Sequence, residues 1–365
     1  MVKILLDEWV VNLDERTCPR SMMIEVTTRC NFSCMHCFRF SLHDGLQLGD
    51  MSKATYKRIV CEASKIGVRR LVVSGWGEPL VHPDILWMLE EAKSNGLEVN
   101  LNTNGYLIGD YVDDLWKLGL DELTVSIDSP DSLSYKEIRS GGDLESISKS
   151  LERIKRLKLE NLSAKPRINV HFTLSSLNSH LVESMLEYAS HIGACNLVVS
   201  NYIAINRETE IFSLIGRLED KELFARLGCL AFNVNVNVIK PYMDVSAHTR
   251  CPFIESRALY IRWDGRIAPC INYAHPWTPT VKGVKRRIEP VIFGNLQSDS
   301  LRSVWVDERY IKFRFKVKTW RFPSCLDCDL RNYCSYTLTN ESDCWGNTPT
   351  CSHCPYARRI AYCPM

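Results

Sequence analysis

No apolar run in this sequence is long enough to span a bilayer, which argues against a helical membrane protein. Charge of one sign is also lacking. The 45 Lys and Arg residues nearly balance 43 Asp and Glu, for a formal net charge of +2, so no strong field calls for nucleic acid or an anionic membrane. The first residues interrupt their apolar stretch with charges and lack the basic, apolar, small-residue order of a signal peptide. The expected setting is therefore cytoplasmic, with no nucleic-acid and no membrane partner. There is no internal repeat, low-complexity tract, P-loop, dinucleotide fingerprint or nucleophile–histidine constellation, which leaves no sign of nucleotide hydrolysis, hydride transfer or acyl transfer.

Cysteine, by contrast, is abundant. Sixteen are present, and in a reducing compartment such numbers point to metal rather than disulfides. Their placement is uneven: three lie at 30–37, nine lie beyond residue 250, and seven of those nine fall between 325 and 363. Only Cys18, Cys61, Cys195 and Cys229 stand apart.

Between about residues 22 and 240, short β-rich runs alternate with amphipathic stretches. The strands expected are Met22–Val26, Arg70–Val73, Glu98–Asn102, Glu122–Ile127, Arg167–Thr173 and Cys195–Ser200. The helices expected are Thr55–Ile66, Asp84–Ser94, Asp110–Leu118, Asp143–Leu157 and His180–His191. Such alternation implies parallel pairing with right-handed crossovers. Six units are too few for an eightfold closed barrel, so the expected fold class is α/β, a partial (β/α)6 barrel with functional groups at the carboxyl ends of its strands. Residues 1–21 form an N-terminal segment, 22–240 the core and 241–365 a Cys-, Pro-, Trp- and Arg-rich extension. Little sustained periodicity remains in that extension, and metal clusters could supply the missing cross-links.

Cys30, Cys34 and Cys37 form a C-x3-C-x2-C run just past the first strand. Three thiolates on one tight loop suit one face of a [4Fe–4S] cubane and leave its fourth iron open to a small molecule. A zinc site completed by His36 is the alternative, although zinc sites favour C-x2-C pairs.

This run, followed by the aromatic Phe38, resembles that of the radical S-adenosylmethionine (SAM) superfamily. In that family the open iron chelates the methionyl end of SAM, and reductive cleavage gives a 5′-deoxyadenosyl radical. The segment Ser74-Gly75-Trp76-Gly77-Glu78-Pro79 starts about 38 residues after Cys37 and resembles the family's G-G-E-P motif. The resemblance implies that Gly75, Gly77 and Pro79 shape a close approach to the cofactor, and that Glu78 accepts from its amino group. It further implies cofactor contacts from Asn102, in Asn102-Thr103-Asn104-Gly105, and from Ser126 and Asp128. Arg139 would pair with the cofactor carboxylate, and Asn178 would lie where the family often places a binding Asn. For each of these, local turn or surface chemistry is the alternative reading.

Cys251, Gly265, Cys270, Cys325, Cys328 and Cys334 follow spacings that resemble the SPASM extension of peptide- and protein-modifying radical enzymes. This implies two auxiliary [4Fe–4S] clusters, with zinc ribbons as the alternative. The family's next cysteine would fall at 338, which is Leu. By analogy of chain order, Cys325, Cys328 and Cys334 hold one cluster, while Cys251 and Cys270 joined by Cys344 hold the other. Cys351, Cys354 and Cys363 then supply fourth ligands in an undetermined distribution. Nine cysteines compete for eight places.

The tail from Asp343 through Cys363-Pro364 is similar to that of radical maturases associated with tungsten-containing aldehyde:ferredoxin oxidoreductases. The expected partners are a client protein (such a tungsten enzyme, its pterin-type cofactor, or a ribosomally made peptide) and a ferredoxin- or flavodoxin-type electron donor. A non-catalytic iron–sulfur carrier is the reading from another class.

Two basic stretches are expected to be structural. Tyr310–Phe322 alternates apolar and basic residues as a half-buried strand or short helix would, and Lys282–Arg287 reads as a solvated loop. His43, His82, His171, His191, His248 and His275 show no ligand spacing.

Overall fold

The computed structural model describes residues 2–6, 8–14, 17–42, 45–217 and 221–365; His43 lies outside them. An N-terminal hairpin of β1 (Val2–Leu6) and β2 (Trp9–Leu13) precedes the six expected strands. These are β3 (Ser21–Ile24), β4 (Arg70–Val73), β5 (Glu98–Thr103), β6 (Glu122–Ser126), β7 (Arg167–Leu174) and β8 (Asn196–Asn201), paired in parallel in that order.

The parallel array is longer than the sequence count of six. β9 (Asn237–Ile239) joins β8, and β10 (Ala258–Ile261) joins β3, both in parallel. β11 (Arg266–Ala268) then pairs antiparallel with β10. The two-residue strands β12 (Thr280–Val281) and β13 (Val284–Lys285) form a separate hairpin, and β14 (Gly294–Asn295) closes the ten-stranded sheet against β11. Runs of three or four residues are too short for alternation to reveal.

The crossovers carry α1 (Lys53–Ile66), α2 (Ile85–Ser94), α3 (Ile108–Lys117), α4 (Ser132–Ile138), α5 (Leu144–Glu160), α6 (Val182–His191) and α7 (Lys221–Val234). Their termini follow elementary capping. Ser52 accepts from the Thr55 N–H, and Asp143 accepts from the N–H groups of Glu145 and Ser146. Gly67, at φ +90°, ends α1 in the left-handed region that favours glycine. On α5, Leu144, Ile147, Leu151 and Ile154 are buried at helical spacing. Two helices escape the sequence reading, α4 and α7. The short α4 matters to the site because Arg139 is its C-terminal cap residue.

Among the described residues, most of the extension beyond residue 241 packs into the core of the barrel, and a small separate cluster joins its Val281, Leu326 and Ile360 to Ile215. Phe253, Tyr260, Leu301, Trp305 and Tyr310 are buried in the same apolar cluster as Met22 and Val73. The basic stretch near residue 310 is helical. It belongs to α10 (Glu308–Lys318), which follows α8 (Pro252–Glu255) and α9 (Leu301–Trp305). α10 buries Tyr310, Phe313 and Val317, and Arg314 stacks 3.6 Å from the Trp305 ring. Ile4 of the N-terminal hairpin packs with Ile311.

Candidate functional site

Parallel sheets covered on both faces read as continuous apolar runs; this one does not. Along β4 to β7, alternate residues point under the helices, where Leu71, Val73, Val99, Leu101, Leu123, Val125, Val170 and Phe172 are buried. The residues between them, including Arg70, Asn100, Asn102, Glu122, Thr124, Ser126, His171 and Thr173, line a cavity of about 300 Å³. Of these the sequence points to Asn102 and Ser126 as site residues and sets His171 aside for want of ligand spacing. The period-two alternation within each strand is the signal that finds the rest.

Cys30, Cys34 and Cys37 also line this cavity, on the loop that leaves β3. Side-chain and backbone bonds fix the loop. Thr27 Oγ1 donates to Asp50 Oδ1 at 2.6 Å and Thr28 Oγ1 to the Gln47 carbonyl at 2.9 Å. The N–H groups of Ser33 and Met35 donate to the carbonyls of Ser140 and Ile138 at the end of α4. Cys30 Sγ accepts from the Phe32 N–H at 3.4 Å, and Arg139 Nη1 lies 3.9 Å from Cys34 Sγ. Burial pushes all three thiols up, Cys37 to about 12, and it is opposed by the charge of Arg39 at Cys30 and Cys37 and of Arg139 at Cys34.

Gly75 and Gly77 serve this loop directly. A Cβ on Gly77 would lie 2.4 Å from the Thr27 carbonyl oxygen and 2.5 Å from that of Arg29, and one on Gly75 would meet Glu25 Cγ at 2.6 Å. The close approach these glycines permit is to the cysteine-loop backbone and to Glu25. Trp76 between them is buried, packs edge-on to Phe38 at 4.4 Å and donates to the Ile271 carbonyl.

The polar residues carried over from the family pattern fall into two sets. Gly75, Gly77, Glu78, Asn102, Ser126 and Arg139 line the cavity. Pro79, Asp128 and Asn178 are buried and are not among the lining residues. Pro79 starts a 3-10 turn behind Glu78. Asp128 Oδ2 accepts from Arg139 Nε at 2.6 Å, and Oδ1 accepts from the Thr173 N–H. Asp128 thus holds the guanidinium from behind. Asn178 spends its amide on Ser175 and on the carbonyls of Asp128 and Thr173, so it is a structural staple here. Glu78 is fully buried and accepts from Leu80 N–H, Thr103 Oγ1 and Asn104 N–H. Its burial pushes its carboxyl up. A carboxylate accepts about four such bonds, so one acceptor position remains. His36 and His171 also line the cavity, and burial lowers both to about 4; His36 Nε2 lies 3.6 Å from Asp128 Oδ2.

One buried constellation was missed entirely. Glu25, at the end of β3, accepts from Tyr260 Oη and the Trp76 N–H and sits 2.9 Å from His275 Nε2. It is held below the usual carboxylate range despite burial, by His275 and these hydrogen bonds. The cluster ties the first strand to the C-terminal extension, whose Tyr356, Ala361, Tyr362 and Pro364 also line the cavity.

The extension's cysteines sort into two groups. Cys251, Cys270, Cys351, Cys354 and Cys363 lie within electrostatic reach of one another. Burial pushes Cys251 to about 12 and raises the others. Cys344 instead stands near Cys325. Chain-order analogy groups Cys344 with Cys251 and Cys270; the fold groups it with Cys325. Backbone N–H groups face four of the five clustered thiols: those of Phe253 and Ile254 toward Cys251, Asn272 and Tyr273 toward Cys270, Tyr356 and Ala357 toward Cys354, and Met365 toward Cys363. Cys351 is faced by the Tyr273 side chain.

Both sets of thiols fit iron–sulfur ligation. Buried thiols need a strong local positive charge to ionise, and metal provides it. Among the described residues no three His, Cys, Asp or Glu side chains converge as they do on a single ion; a four-iron cubane holds its thiolates farther apart than one ion does.

Residues 24–189 match the sequence model of the Radical SAM superfamily, and residues 251–329 match that of the SPASM iron–sulfur cluster-binding domain. The tungsten-containing aldehyde ferredoxin oxidoreductase cofactor-modifying protein of Pyrococcus furiosus is 30% identical over 352 residues, 94% of this chain and 97% of that protein. A probable GTP 3′,8-cyclase of Methanococcus maripaludis is 28% identical, over 69% of this chain and 85% of the relative. In fold, the chain resembles Streptococcus suis SuiB bound to S-adenosylmethionine, with a TM-score of 0.62 at 18% identity over 87% of this chain and 72% of that one. It also resembles anSMEcpe with bound AdoMet, with a TM-score of 0.60 at 17% identity over 87% of this chain and 88% of that one. A strand-end cysteine loop facing a polar cavity, a cysteine-rich extension sharing its core and a near full-length relative lead to one conclusion: the chain is an enzyme of the radical SAM superfamily carrying a SPASM iron–sulfur segment.

Proposed function

We propose that this enzyme reductively cleaves SAM and directs the radical chemistry to maturation of a tungsten-containing aldehyde ferredoxin oxidoreductase, acting on the protein or on its pterin-type cofactor. The near full-length similarity to the Pyrococcus furiosus cofactor-modifying protein carries the choice of client. The cysteine loop on the polar cavity supports the reaction class. When bound, the [4Fe–4S] cluster of Cys30, Cys34 and Cys37 supplies the electron that breaks a carbon–sulfur bond of SAM.

The chain's own residues bind and orient. Arg139, fixed by Asp128, presents its remaining guanidinium edge to a carboxylate. Glu78 offers its last acceptor position to an ammonium. Asn102 and Ser126 offer hydrogen bonds from the cavity wall to hydroxyl groups. Tyr356, Tyr362 and Pro364 of the tail close one side of the cavity and exclude water from it. On this reading the chain divides by role into an N-terminal segment at 1–21, a SAM-cleaving core at 22–240 and an extension at 241–365. The extension carries two auxiliary clusters that pass electrons or bind substrate. It works in the cytoplasm with a ferredoxin- or flavodoxin-type donor; among the described residues no helix is long and apolar enough to cross a membrane.

The test is anaerobic reconstitution followed by incubation with SAM and dithionite, with 5′-deoxyadenosine measured by chromatography, then pull-down of the client from anaerobic extract. Deoxyadenosine formation and capture of a tungsten oxidoreductase are expected. Iron binding without deoxyadenosine would reduce the chain to an electron carrier, and capture of a small precursor peptide instead would replace the client.

A further inference from the structure

We propose that Arg286 is the shared counter-cation of the two cysteine groups in the C-terminal extension, placed on the seam between them so that its charge acts on both. The inference rests on the auxiliary-cluster reading above.

The sequence reading of Lys282–Arg287 as a solvated loop is overturned at this position. After the turn between β12 and β13, side chains alternate strictly: Val284, Arg286 and Ile288 are buried, and Lys285 and Arg287 are exposed. Arg286 therefore occupies an inward position that the pattern around it reserves for an apolar residue. It is 3% exposed. Its Nε and Nη2 both donate to one acceptor, the Thr339 carbonyl oxygen, at 2.9 and 2.6 Å. Among the described residues it forms no ion pair, unlike its neighbours Lys282 with Asp244 and Arg287 with Glu289. The buried carboxylate of Asp343 accepts from Thr350, Asn347 and the Trp345 N–H, and among the described residues it forms no ion pair with Arg286.

A guanidinium does not deprotonate in a protein, and a buried charge without a partner is strongly unfavourable. The balancing anion must lie where Arg286 points. Thr339 sits between Cys334 and Cys344 in the chain. On another side Arg286 lines a cavity of about 10 Å³ with His353 and Pro355, the two residues flanking Cys354. That cavity has no acidic lining residue, and both nitrogens of the buried His353 and Oδ1 of Asn272 find no hydrogen-bond partner there. The two thiol groups meet at this place, since the Cys325 N–H donates to the Ser352 carbonyl at 3.2 Å. Ser352 directly precedes His353, so the cavity wall that Arg286 shares with His353 and Pro355 lies beside Cys325 of one group and Cys354 of the other. Thiolates ligating iron in both groups supply the negative charge that Arg286 otherwise lacks.

A fixed cation favours the more negative, reduced state of a neighbouring cluster. Removing it shifts both potentials downward, and a tenfold fall in the reduced-to-oxidised ratio at fixed potential corresponds to about 59 mV for a one-electron couple. The experiment is a redox titration of the anaerobically reconstituted full chain followed by electron paramagnetic resonance, with iron content, in the parent, Arg286→Met, Arg286→Gln and Arg286→Lys. The expected result is a tenfold or larger shift for both tail clusters in Arg286→Met, no shift for the cluster at Cys30, Cys34 and Cys37, and near-parent behaviour in Arg286→Lys. Loss of tail iron in Arg286→Met and in Arg286→Gln with full iron in Arg286→Lys supports the same conclusion, because Gln keeps a hydrogen-bond donor for the Thr339 carbonyl and lacks the charge. Unchanged potentials in Arg286→Met, equal shifts in Arg286→Met and Arg286→Lys, or equal iron loss in those two overturn it. A parent protein holding a single cluster overturns the auxiliary-cluster reading and this inference together; a three-cluster parent indifferent to Arg286 overturns the inference alone.

Discussion

Two regions hold cysteines in this molecule, and they hold them differently. The loop of Cys30, Cys34 and Cys37 hangs from the end of a buried strand and is stitched to a helix end by the Ser33 and Met35 N–H groups. Regular elements position it, and the three thiols are near one another in sequence. The nine thiols of the extension lie on turns, bends and irregular segments outside any helix or strand, drawn from positions 251 to 363. Five of them, Cys251, Cys270, Cys351, Cys354 and Cys363, pack in or against the core that the extension shares with the barrel. The comparison teaches that a local ligand set is written in spacing, whereas a dispersed one is assembled by tertiary contacts, and the two should fail separately.

The largest expected effect breaks the comparison outright. Replacing Cys30, Cys34 and Cys37 together by Ala abolishes 5′-deoxyadenosine formation yet leaves about eight of about twelve iron atoms bound. Iron analysis beside product chromatography reads both, and total loss of iron would show that the tail holds no clusters of its own.

Gly77→Ala attacks the same loop without touching a thiol. Its Cβ would displace the Thr27 or Arg29 carbonyl, at a cost of about 1–3 kcal/mol of strain. Reduced occupancy of the first cluster is expected with the tail iron intact. A variant with parent iron and turnover would mean that the loop yields freely.

Protonation probes the cavity face. The neutral His36 and His171, half-buried on the cavity wall, titrate at about 4 in the fold but near 6.5 in the unfolded chain. Between those values the unfolded state binds more protons, so stability is full above about pH 6.5 and falls as the pH drops toward 4. The loss reaches about 2 kcal/mol per imidazole by pH 5. Denaturant melts of the parent and of the His36→Asn and His171→Asn variants between pH 7 and pH 5 measure it. A slope that survives both substitutions would place the titration elsewhere.

The smallest effect sharpens the tail. Five thiols gather where a cubane takes four, and Cys351 is faced by the Tyr273 side chain where the others are faced by backbone N–H groups. Cys351→Ser is expected to keep the parent iron content, whereas Cys354→Ser, with the Ala357 N–H 3.5 Å from its sulfur, loses one cluster. Equal loss in both would mean that Cys351 is a ligand.

The sequence by itself determined the six central strands, five of the crossover helices and the cysteine loop, because each is a local pattern: period two, period 3.6, and ligands within eight residues. It also marked Gly75, Gly77, Glu78, Asn102, Ser126 and Arg139, all of which line the cavity. Tertiary structure alone decided the rest. Asp128 and Asn178 became supports because their bonding capacity is consumed by residues from other strands. Glu25 met His275 across 250 positions, Cys344 joined Cys325, and Arg286 turned inward beside both tail groups. Burial and long-range pairing set the energetics of a buried charge or thiol, and neither is encoded in the spacing of residues along the chain.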